Sequence, residues 1–189
     1  MLTQILIFLI EVAVTLVGGA SLLRLYMRWR RMAMGNPVGR FVQALSDWLV
    51  LPLQRVVPPG DKLDVASLLA AWLLKLGQYA ALMALLGLAR WSVLPVLALL
   101  GVAKLAVSVA TAVIIVAAVL SWTGNRTLVR DVFERLAEPL LAPVRKLLPL
   151  VGGVDLSPLV LIIGLQVVGI ALGSMQGNLF GGGMLLNGA

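Results

Sequence analysis

Four long apolar runs constrain the fold of this 189-residue chain more than any other feature. They cover residues 2–23, 65–89, 93–120 and about 156–175. A hydrocarbon core of about 30 Å takes about 20 residues of α-helix at about 1.5 Å per residue, so each run is long enough to cross a bilayer. The sequence therefore predicts an all-α integral membrane protein with four transmembrane helices.

The composition agrees with this class of protein. Hydrophobic residues make up 61% of the chain and charged residues only 12%, which is more apolar surface than a soluble domain buries. The first run has no Lys or Arg ahead of it and exceeds an ordinary signal core, so we expect it to remain as a span. Cysteine and histidine are absent, which removes disulfides, covalent haem attachment and most zinc sites. We predict no metal, no cofactor and no catalytic activity.

The basic residues are distributed unevenly between the loops. Twelve of the fifteen lie between the first and second spans or between the third and fourth, and one lies in the middle loop. The positive-inside rule then places loops 24–64 and 123–155 in the cytoplasm and both termini on the opposite side of the membrane. The net charge of +7 is thus explained by topology, and anionic phospholipid is the expected partner rather than nucleic acid.

Two amphipathic segments, at about 38–53 and 127–141, lie in these basic loops. Their apolar residues recur at helical spacing with polar residues between them, which predicts helices lying in the membrane surface with the apolar side down. Asn36 and Pro37 favour a helix start at the first segment. Prolines are expected to end both helices and to turn the chain, at positions Pro52, Pro58, Pro139, Pro143 and Pro149.

The proline turns belong to an internal repeat. Pro52, Pro58 and Asp64 recur 91 positions later as Pro143, Pro149 and Asp155, with Arg55 in the first copy and Arg145 and Lys146 in the second. Each half reads as span, surface helix, proline turn, aspartate and span in the same orientation, which predicts a parallel repeat about an axis along the membrane normal. We assign residues 1–90 to the first repeat, 91–177 to the second and 178–189 to a glycine-rich tail.

Charged and aromatic residues mark the predicted cytoplasmic boundaries. The first span ends at Arg24, Arg28 and Trp29, and Trp122 matches Trp29 at an offset of 93, which is typical of interfacial anchors. Asp64 precedes the second span, where a carboxylate caps a helix N-terminus. An ion pair between Asp64 and Arg55 is the alternative.

Ionisable side chains also lie inside the predicted spans. Lys75 and Lys104 lie near the bilayer middle, where an ammonium is costly unless it is paired, hydrated or deprotonated. The repeat offsets carry Glu11 onto Lys104 and Lys75 onto Gln166, so all four could lie in one layer near the midplane. We hypothesise that Glu11 pairs with one of the lysines. A structural pair that fixes helix order, an ion or proton path, and lipid-facing placement remain open.

The last span carries glycines at a spacing of four residues. Gly169, Gly173 and Gly177 form two overlapping Gly-x-x-x-Gly steps. Small residues at this spacing let helix backbones approach closely. We therefore predict that this face packs against another helix.

The same motifs carry a family resemblance. The chain resembles the bacterial YggT family in its two-repeat arrangement, in Arg24 to Trp29, in Asn36-Pro37 and in both proline turns with their aspartates. The resemblance covers nearly the whole chain and implies a small inner-membrane protein related to plastid and cyanobacterial proteins that assemble a cytochrome complex or distribute nucleoids. It also implies links to cell division, osmotic tolerance and potassium homeostasis. The second half departs from the first with Ala117 and Ser121 in place of Arg24 and Arg28.

Two functions follow as hypotheses. The first is a non-catalytic scaffold or assembly factor whose basic surface helices face lipid and an unknown membrane or cytoplasmic protein partner. The second is a component of ion or osmolyte transport that uses the midplane residues. The sequence leaves the oligomeric state open, homo-oligomers included. An enzyme is third, because no nucleophile with a base, metal set or phosphate loop is evident.

Overall fold

A computed structural model describes residues 1–58, 60, 63–88, 91–122, 126–147 and 155–181. Over these residues the chain forms six α-helices, a single 3₁₀ turn at Trp91–Val93 and no strand. The helices are α1 (Leu2–Trp29), α2 (Pro37–Val56), α3 (Val65–Leu86), α4 (Leu94–Trp122), α5 (Leu128–Leu147) and α6 (Ser157–Gly181). The all-α prediction is confirmed.

Four of these helices are long and apolar enough to cross a membrane: α1, α3, α4 and α6. This confirms the predicted number of spans, with shifted ends. Helix α3 stops at Leu86 because Gly87 adopts a left-handed conformation with φ of 67°, which glycine accepts without steric cost. Helix α6 continues to Gly181, four residues into the predicted tail. Leu179 packs against Met83 of α3 and Leu94 and Leu97 of α4, which favours this extension. The rest of the predicted tail lies outside the described residues.

Helices α2 and α5, which we call the surface helices, are interrupted by prolines less than predicted. Pro52 lies inside α2, and Pro139 and Pro143 lie inside α5. A proline removes one backbone hydrogen bond and crowds the preceding turn. In α2 that cost is offset because Val50 and Leu53, on either side of Pro52, pack against α3.

In α5 the residues flanking Pro139, Leu136 and Leu141, belong to the main core. Packing on both sides therefore keeps the helices continuous through Pro52 and Pro139. Pro58 follows the end of α2, whereas Pro149 lies outside the described residues.

Helix α4 is the centre of the bundle. It packs against α1, α3, α5 and α6, while α1 also packs against α2 and α3. Helices α2 and α5 contact each other, so they lie at the same end of the bundle. The α3–α4 connection lies at the opposite end, because α3 and α4 each run the length of the bundle. For brevity, the two ends are called the surface-helix end and the α3–α4 end.

The largest core cluster joins both repeats at the surface-helix end. Met27 of α1, Val42 of α2, Ile114 of α4 and Leu136 of α5 are at most 1% exposed and pack together. The Tyr26 hydroxyl also donates to the Leu136 carbonyl at 2.8 Å. Close packing of these four side chains holds the surface helices against α1 and α4 through dispersion contacts. The surface helices are thus part of the folded core and are not loosely attached to it.

Candidate functional site

The two surface helices begin at equivalent positions with equivalent caps. Asn36 Oδ1 accepts the backbone N–H of Gly39 at 2.8 Å, and Pro37 is the first residue of α2. Thr127, 91 positions after Asn36, accepts the N–H of Arg130 at 3.2 Å. Side-chain oxygens at this position satisfy helix N–H groups that lack an intrahelical partner. The repeat therefore extends to the hydrogen bonds that start α2 and α5.

Asp64 is the centre of a buried charged cluster at the start of α3. Its side chain is 0% exposed and forms an ion pair with Arg28 at 3.1 Å. It caps α3 by accepting the Ser67 N–H at 3.3 Å, and Gln54 Nε2 donates to it at 3.0 Å. We call Asp64, Arg28, Gln54 and Arg24 the aspartate lock. One carboxylate thus joins α1, α2 and α3.

Arg24 strengthens the lock from the buried face of α1. Its side chain is 7% exposed and forms an ion pair with Asp47 of α2. Its Nε lies 3.6 Å from Asp64 Oδ2, and its Nη1 donates to Ser46 Oγ at 3.3 Å. A buried guanidinium needs such partners, because burying it unpaired would cost several kcal/mol. Arg24 therefore fixes α2 against α1, in addition to any anchoring role.

The partner of Asp64 is Arg28 of α1 rather than Arg55. Arg55 is exposed, and its neighbour Gln54 faces the carboxylate. Successive residues of an α-helix point about 100° apart, so only one of these neighbours can face α3. Arg55 is therefore left on the surface of α2.

The electrostatics of Asp64 favour its charged form. Burial by itself raises the pKa of this carboxyl, but hydrogen bonds from Ser67 and Gln54 and the charge of Arg28 outweigh burial. The net pKa of Asp64 is lowered from its ordinary value. The lock is thus an ionised cluster at neutral pH.

The second repeat has a different charged cluster around the equivalent aspartate, Asp155, which we call the second lock. Asp155 accepts the Ser157 N–H at 2.9 Å and forms an ion pair with Arg145 at 2.8 Å, while Arg145 also pairs with Glu138 at 3.0 Å. Arg145 stands 91 positions after Gln54, so a charged donor replaces a neutral one. Burial raises the pKa of Asp155 while contacts with Ser157 and Arg145 lower it, for a net decrease.

The two locks differ in burial and in the helices they join. The Asp155 side chain is 31% exposed and the Arg145 side chain 43% exposed. Ala117 and Ser121 replace Arg24 and Arg28 in the second repeat, so α4 supplies no arginine to Asp155. Among the described residues, the contacts of Asp155 join the end of α5 to the start of α6.

Large aromatic side chains lie exposed around the surface-helix end. Trp29 is 53% exposed and Trp122 is 84% exposed, at the ends of α1 and α4. On α2, Phe41 and Trp48 are 64% and 62% exposed although the periodicity groups them with the buried residues. Lys146 is also exposed. The apolar side of α2 therefore packs only partly against the bundle, and Phe41 and Trp48 remain exposed on it.

A polar cavity of about 270 Å³ lies among α1, α3, α4 and α6. Lys75 is only 8% exposed, and its Nζ donates to Gln78 Oε1 at 2.9 Å. Gln176 of α6 donates to the Tyr79 hydroxyl at 2.8 Å. The remaining polar side chains lining the cavity are Glu11, Thr15, Lys104 and Ser108.

A glycine makes room for this arrangement. A Cβ on Gly101 of α4 would lie 2.7 Å from Tyr79 Cε2 and 3.2 Å from Lys75 Cδ. Distances this short are not tolerated without movement, so Gly101 lets α3 and α4 approach with both side chains between them. Gly18 does the same between α1 and α4, where a Cβ would lie 2.9 Å from Leu105 Cδ2.

The structure brings together three of the four predicted midplane residues. Glu11, Lys75 and Lys104 line the cavity. Within the described part of the chain, Glu11 has no ion pair within 4.0 Å, so the hypothesised direct pair is not formed. Gln166 lies apart, in a groove of about 490 Å³ between α4 and α6. Gln176 follows Gln166 by ten residues on α6, and ten residues of α-helix make two full turns and about 280° more. The two side chains therefore point in different directions, and only Gln176 faces the cavity.

The predicted glycine face makes ordinary contacts. A Cβ on Gly169 would lie 3.8 Å from Val107 Cγ1, and one on Gly173 would lie 3.8 Å from Lys104 Nζ. Gly177 has no such neighbour within 4 Å. Gly169 and Gly173 therefore face α4 across the groove that holds Gln166. Gly18 and Gly101 make closer contacts with neighbouring helices than these glycines do.

Several residues of these sites were missed by the sequence interpretation. Gln54 was visible as the counterpart of Arg145 in the repeat, and Gln176 as a polar residue in an apolar helix. Gln78 and Tyr79 follow Lys75 at spacings of three and four, which bring side chains together on a helix. No cluster of metal-binding side chains is found where the structure describes the chain.

Comparison with known proteins agrees with the two-repeat organisation of the chain. The sequence model of the CCB3/YggT family matches residues 3–86 and 96–176. The chain is 32% identical over 171 residues to the "Uncharacterized protein YggT" of Escherichia coli strain K12, covering 88% of each chain. It is also 32% identical over 181 residues to the "Uncharacterized protein in proC 3'region" of Vibrio alginolyticus, covering 92% of this chain and 96% of the relative. No solved structure matches the chain. With two matched segments that coincide with its two repeats, the chain belongs to the CCB3/YggT family.

Proposed function

We propose that this protein is a non-catalytic scaffold of the bacterial inner membrane that presents α2 and α5 to the cytoplasm as one fixed platform. The observation that supports this most is the way the surface helices are held. An ion pair between Arg24 and Asp47 joins α2 to α1, and a hydrogen bond from Gln54 to Asp64 joins α2 to the start of α3. Helix α5 shares the main core with α1, α2 and α4. A platform held this firmly presents its surface in one geometry, which lowers the entropic cost of binding a partner.

The orientation follows from charge. The described arginines outside the bundle interior gather at the surface-helix end, and Lys/Arg-rich loops remain on the cytoplasmic side. Both termini then face the periplasm. Phe41 and Trp48 on α2 lie seven residues apart on one face, where they would enter the headgroup region of the inner leaflet. Anionic phospholipid is therefore the proposed lipid partner.

A protein partner would bind at a cleft of about 870 Å³ between the α1–α2 turn and α5. Both signs of charge line it: Arg30 and Arg31 on one side, Asp131 and Glu138 among the residues of α5. Mixed charge in a cleft favours specificity through complementary pairs more than it favours raw affinity. We propose that a cytoplasmic or membrane protein inserts a segment with charges of both signs here.

Site-specific photocrosslinking in cells tests the scaffold. A crosslinker at Arg135, which lines the cleft, is expected to capture the same partner reproducibly, and Asp131→Lys is expected to reduce that capture. A crosslinker at Trp91, at the α3–α4 end, and the surface variant Lys146→Glu serve as controls. Equal capture from both ends, or capture unaffected by Asp131→Lys, would contradict the proposal.

The polar cavity supports a second candidate, a component of ion or osmolyte transport. Ionisable side chains from α1, α3 and α4 meet there inside the membrane-spanning bundle, and such residues commonly mark ion pathways. Purified protein in liposomes would then move potassium ions or protons, and Lys104→Leu would abolish the flux. Flux with this property would defeat the purely structural role, whereas the scaffold predicts none.

A further inference from the structure

We propose that a pocket between α1 and α2, here called the arginine pocket, binds one phosphate group. Three arginines of α1 and of the turn after it line this pocket: Arg24, Arg28 and Arg31. The phosphate belongs either to the headgroup of a lipid in the leaflet at the surface-helix end or to a soluble phosphate, and two binding measurements distinguish these sources. The inference does not rest on the scaffold role.

The polar lining of the arginine pocket suits an anion. The pocket has a volume of about 480 Å³, within the range of about 300–1,000 Å³ that is usual for small-molecule sites. Besides the three guanidinium groups it is lined by the amide of Gln43, and the described lining residues include no carboxylate. A guanidinium carries only hydrogen-bond donors, so the lining favours an acceptor such as phosphate over a cation.

The spacing of the arginines brings them to one face of α1. Arg28 follows Arg24 by four residues and Arg31 follows Arg28 by three, and residues at these spacings are neighbours on a helix surface. Gln43 lies on α2 one helical turn before Asp47, the carboxylate that pairs with Arg24. The arginine pocket therefore adjoins the aspartate lock, which holds two of its three arginines in place.

The carboxylates beside these arginines do not balance their charge. Asp47 pairs with Arg24, and Asp64 pairs with Arg28. Among the described ion pairs none involves Arg31. Three guanidinium groups and two carboxylates leave one unit of positive charge. A phosphodiester carries one negative charge and would neutralise the site.

Arg24 contributes a buried donor that lacks a hydrogen bond. The residue is 6% exposed, and its Nε makes no hydrogen bond to the part of the chain that the structure describes. Asp64 Oδ2 lies 3.6 Å from this atom, which is beyond hydrogen-bond distance. Buried donors in proteins almost always have an acceptor. An oxygen atom of a phosphate in the pocket would supply one.

The backbone at Arg31 indicates a use for its side chain. The N–H of Arg31 donates to the carbonyl of Arg28 at 2.8 Å, and the next N–H, of Met32, donates to Met27 at 2.9 Å. In this helix-ending turn Arg31 adopts a left-handed conformation with φ of 52°. Glycine is the usual residue there because it accepts the conformation without steric cost, whereas an arginine costs free energy. Binding of an anion by its guanidinium offsets that cost.

The same turn removes an obstacle to anion binding. A helix C-terminus carries partial negative charge on its last carbonyl groups. The hydrogen bonds from Arg31 and Met32 occupy two of these groups at the end of α1. The guanidinium groups therefore dominate the electrostatics of the pocket.

Several guanidinium groups around one pocket suit a phosphate better than a carboxylate. Each guanidinium presents parallel N–H groups to pairs of oxygen atoms, and a phosphate has more oxygen atoms than a carboxylate, so it serves more than one arginine. The second repeat has Ala117 and Ser121 in place of Arg24 and Arg28. The site therefore belongs to the first repeat, and we expect one phosphate per chain.

Two measurements on the full-length protein, purified in mild detergent, distinguish the sources of the phosphate. Native mass spectrometry compares phosphatidylglycerol with diacylglycerol, which lacks the phosphate. Retention of one phosphatidylglycerol per chain, at least about tenfold more tightly than diacylglycerol, supports a lipid headgroup. Thermal unfolding compares inorganic phosphate with sodium chloride at equal ionic strength. A higher unfolding temperature in phosphate supports a soluble phosphate.

Gln43→Glu tests the pocket with little risk to the fold. It places a carboxylate beside the three arginines, where it occupies their donors and repels a phosphate. Binding in whichever measurement detects it is expected to weaken about tenfold or more. Ala44→Glu is the matched control, because it adds the same charge at the next residue of α2, which is exposed and points about 100° away. Its binding should equal that of the wild type.

Arg31→Gly separates binding from stability. The change removes one guanidinium and relieves the left-handed backbone. The unfolding temperature without phosphate is therefore expected to stay the same or rise, while phosphate binding weakens about tenfold. A purely structural role for Arg31 predicts the opposite, a lower unfolding temperature with binding retained. If Gln43→Glu does not fold, this variant still tests the inference.

Two further outcomes would overturn the inference. The pocket would have no role in phosphate binding if phosphatidylglycerol were retained no better than diacylglycerol and inorganic phosphate acted no differently from chloride. Equal binding by Gln43→Glu and Ala44→Glu would show that the phosphate binds outside the pocket.

Discussion

Replacing Asp64 with alanine should destabilise the protein far more than the same change at Asp155, the equivalent residue of the second repeat. Both aspartates cap the helix that follows and both accept an arginine. They differ in burial, since the Asp64 side chain is 0% exposed and that of Asp155 is 31% exposed. Comparison of the two alanine variants therefore separates the contribution of burial to stability from that of capping.

The expected magnitudes follow from these contacts. Loss of a helix cap costs about 1 kcal/mol, and removal of one partner from a buried ion pair costs about 3–5 kcal/mol because the other charge is stranded. For Asp64→Ala the two effects give about 4–6 kcal/mol. That estimate falls toward or below the lower figure because the Arg28 side chain is 35% exposed and can be hydrated, and because Arg24 keeps its ion pair with Asp47. For Asp155→Ala the cap costs about 1 kcal/mol and the partly exposed pair adds at most about 1 kcal/mol.

Asp64→Asn divides the effect further. Asparagine still accepts the Ser67 N–H as a cap but carries no charge for Arg28, so it should lose about 3 kcal/mol or more. Reversible unfolding of the purified variants in mixed detergent micelles measures the differences. Equal losses at Asp64 and Asp155, or wild-type stability for Asp64→Asn, would refute the assignment of Asp64 as a buried charge lock.

Three further predictions follow from the packing and the charges. Gly101→Ala should destabilise the folded protein by about 1–3 kcal/mol, because the added methyl group would lie 2.7 Å from the ring of Tyr79. Gly177→Ala has open space around it and should be neutral or slightly stabilising. Thermal unfolding of the two variants measures the difference. Leu136 is 0% exposed, so Leu136→Ala should lower the free energy of unfolding by about 2–5 kcal/mol. Leu128 is 71% exposed, so Leu128→Ala should lower it by less than about 0.5 kcal/mol. Equal losses would place α5 outside the core. The pKa of Asp64 is lowered in the folded protein, so its contribution is fully present above the unfolded value of about 3.9 and is lost as pH falls from there through the folded value. The stability difference between wild type and Asp64→Asn should accordingly shrink on acidification below about pH 4, and a pH-independent difference would contradict this assignment.

Much of the fold could be predicted because the bilayer imposes simple rules. The length and apolarity of the runs determined the number of spans, and the repeat of Pro52 and Asp64 at Pro143 and Asp155 located both surface helices. Proline was overrated as a helix terminator. Its cost is local, whereas the packing of Val50 against α3 depends on residues distant in sequence.

The sites were harder to predict because they depend on rotation about helix axes. Gln166 and Gln176 are equally polar residues of one apolar helix, and only the packing of α6 against α4 decides which faces the cavity. The choice of Arg28 over Arg55 for Asp64 has the same origin. Offsets within a repeat identify equivalent positions, but they do not identify the helix that lies opposite each side chain.

The closure of Lys75 by α4 has a consequence for biogenesis. Lys75 lies on α3, yet Gly101 of α4 provides the surface that covers it. Because ribosomes synthesise α3 first, a nascent chain that has released only α1 and α3 holds an ammonium against acyl chains, at considerable cost. Integration of the following segment relieves this cost. We therefore expect first repeats made without α4 to be short-lived, and arrested translation products that end before α4 to be substrates for membrane proteolysis.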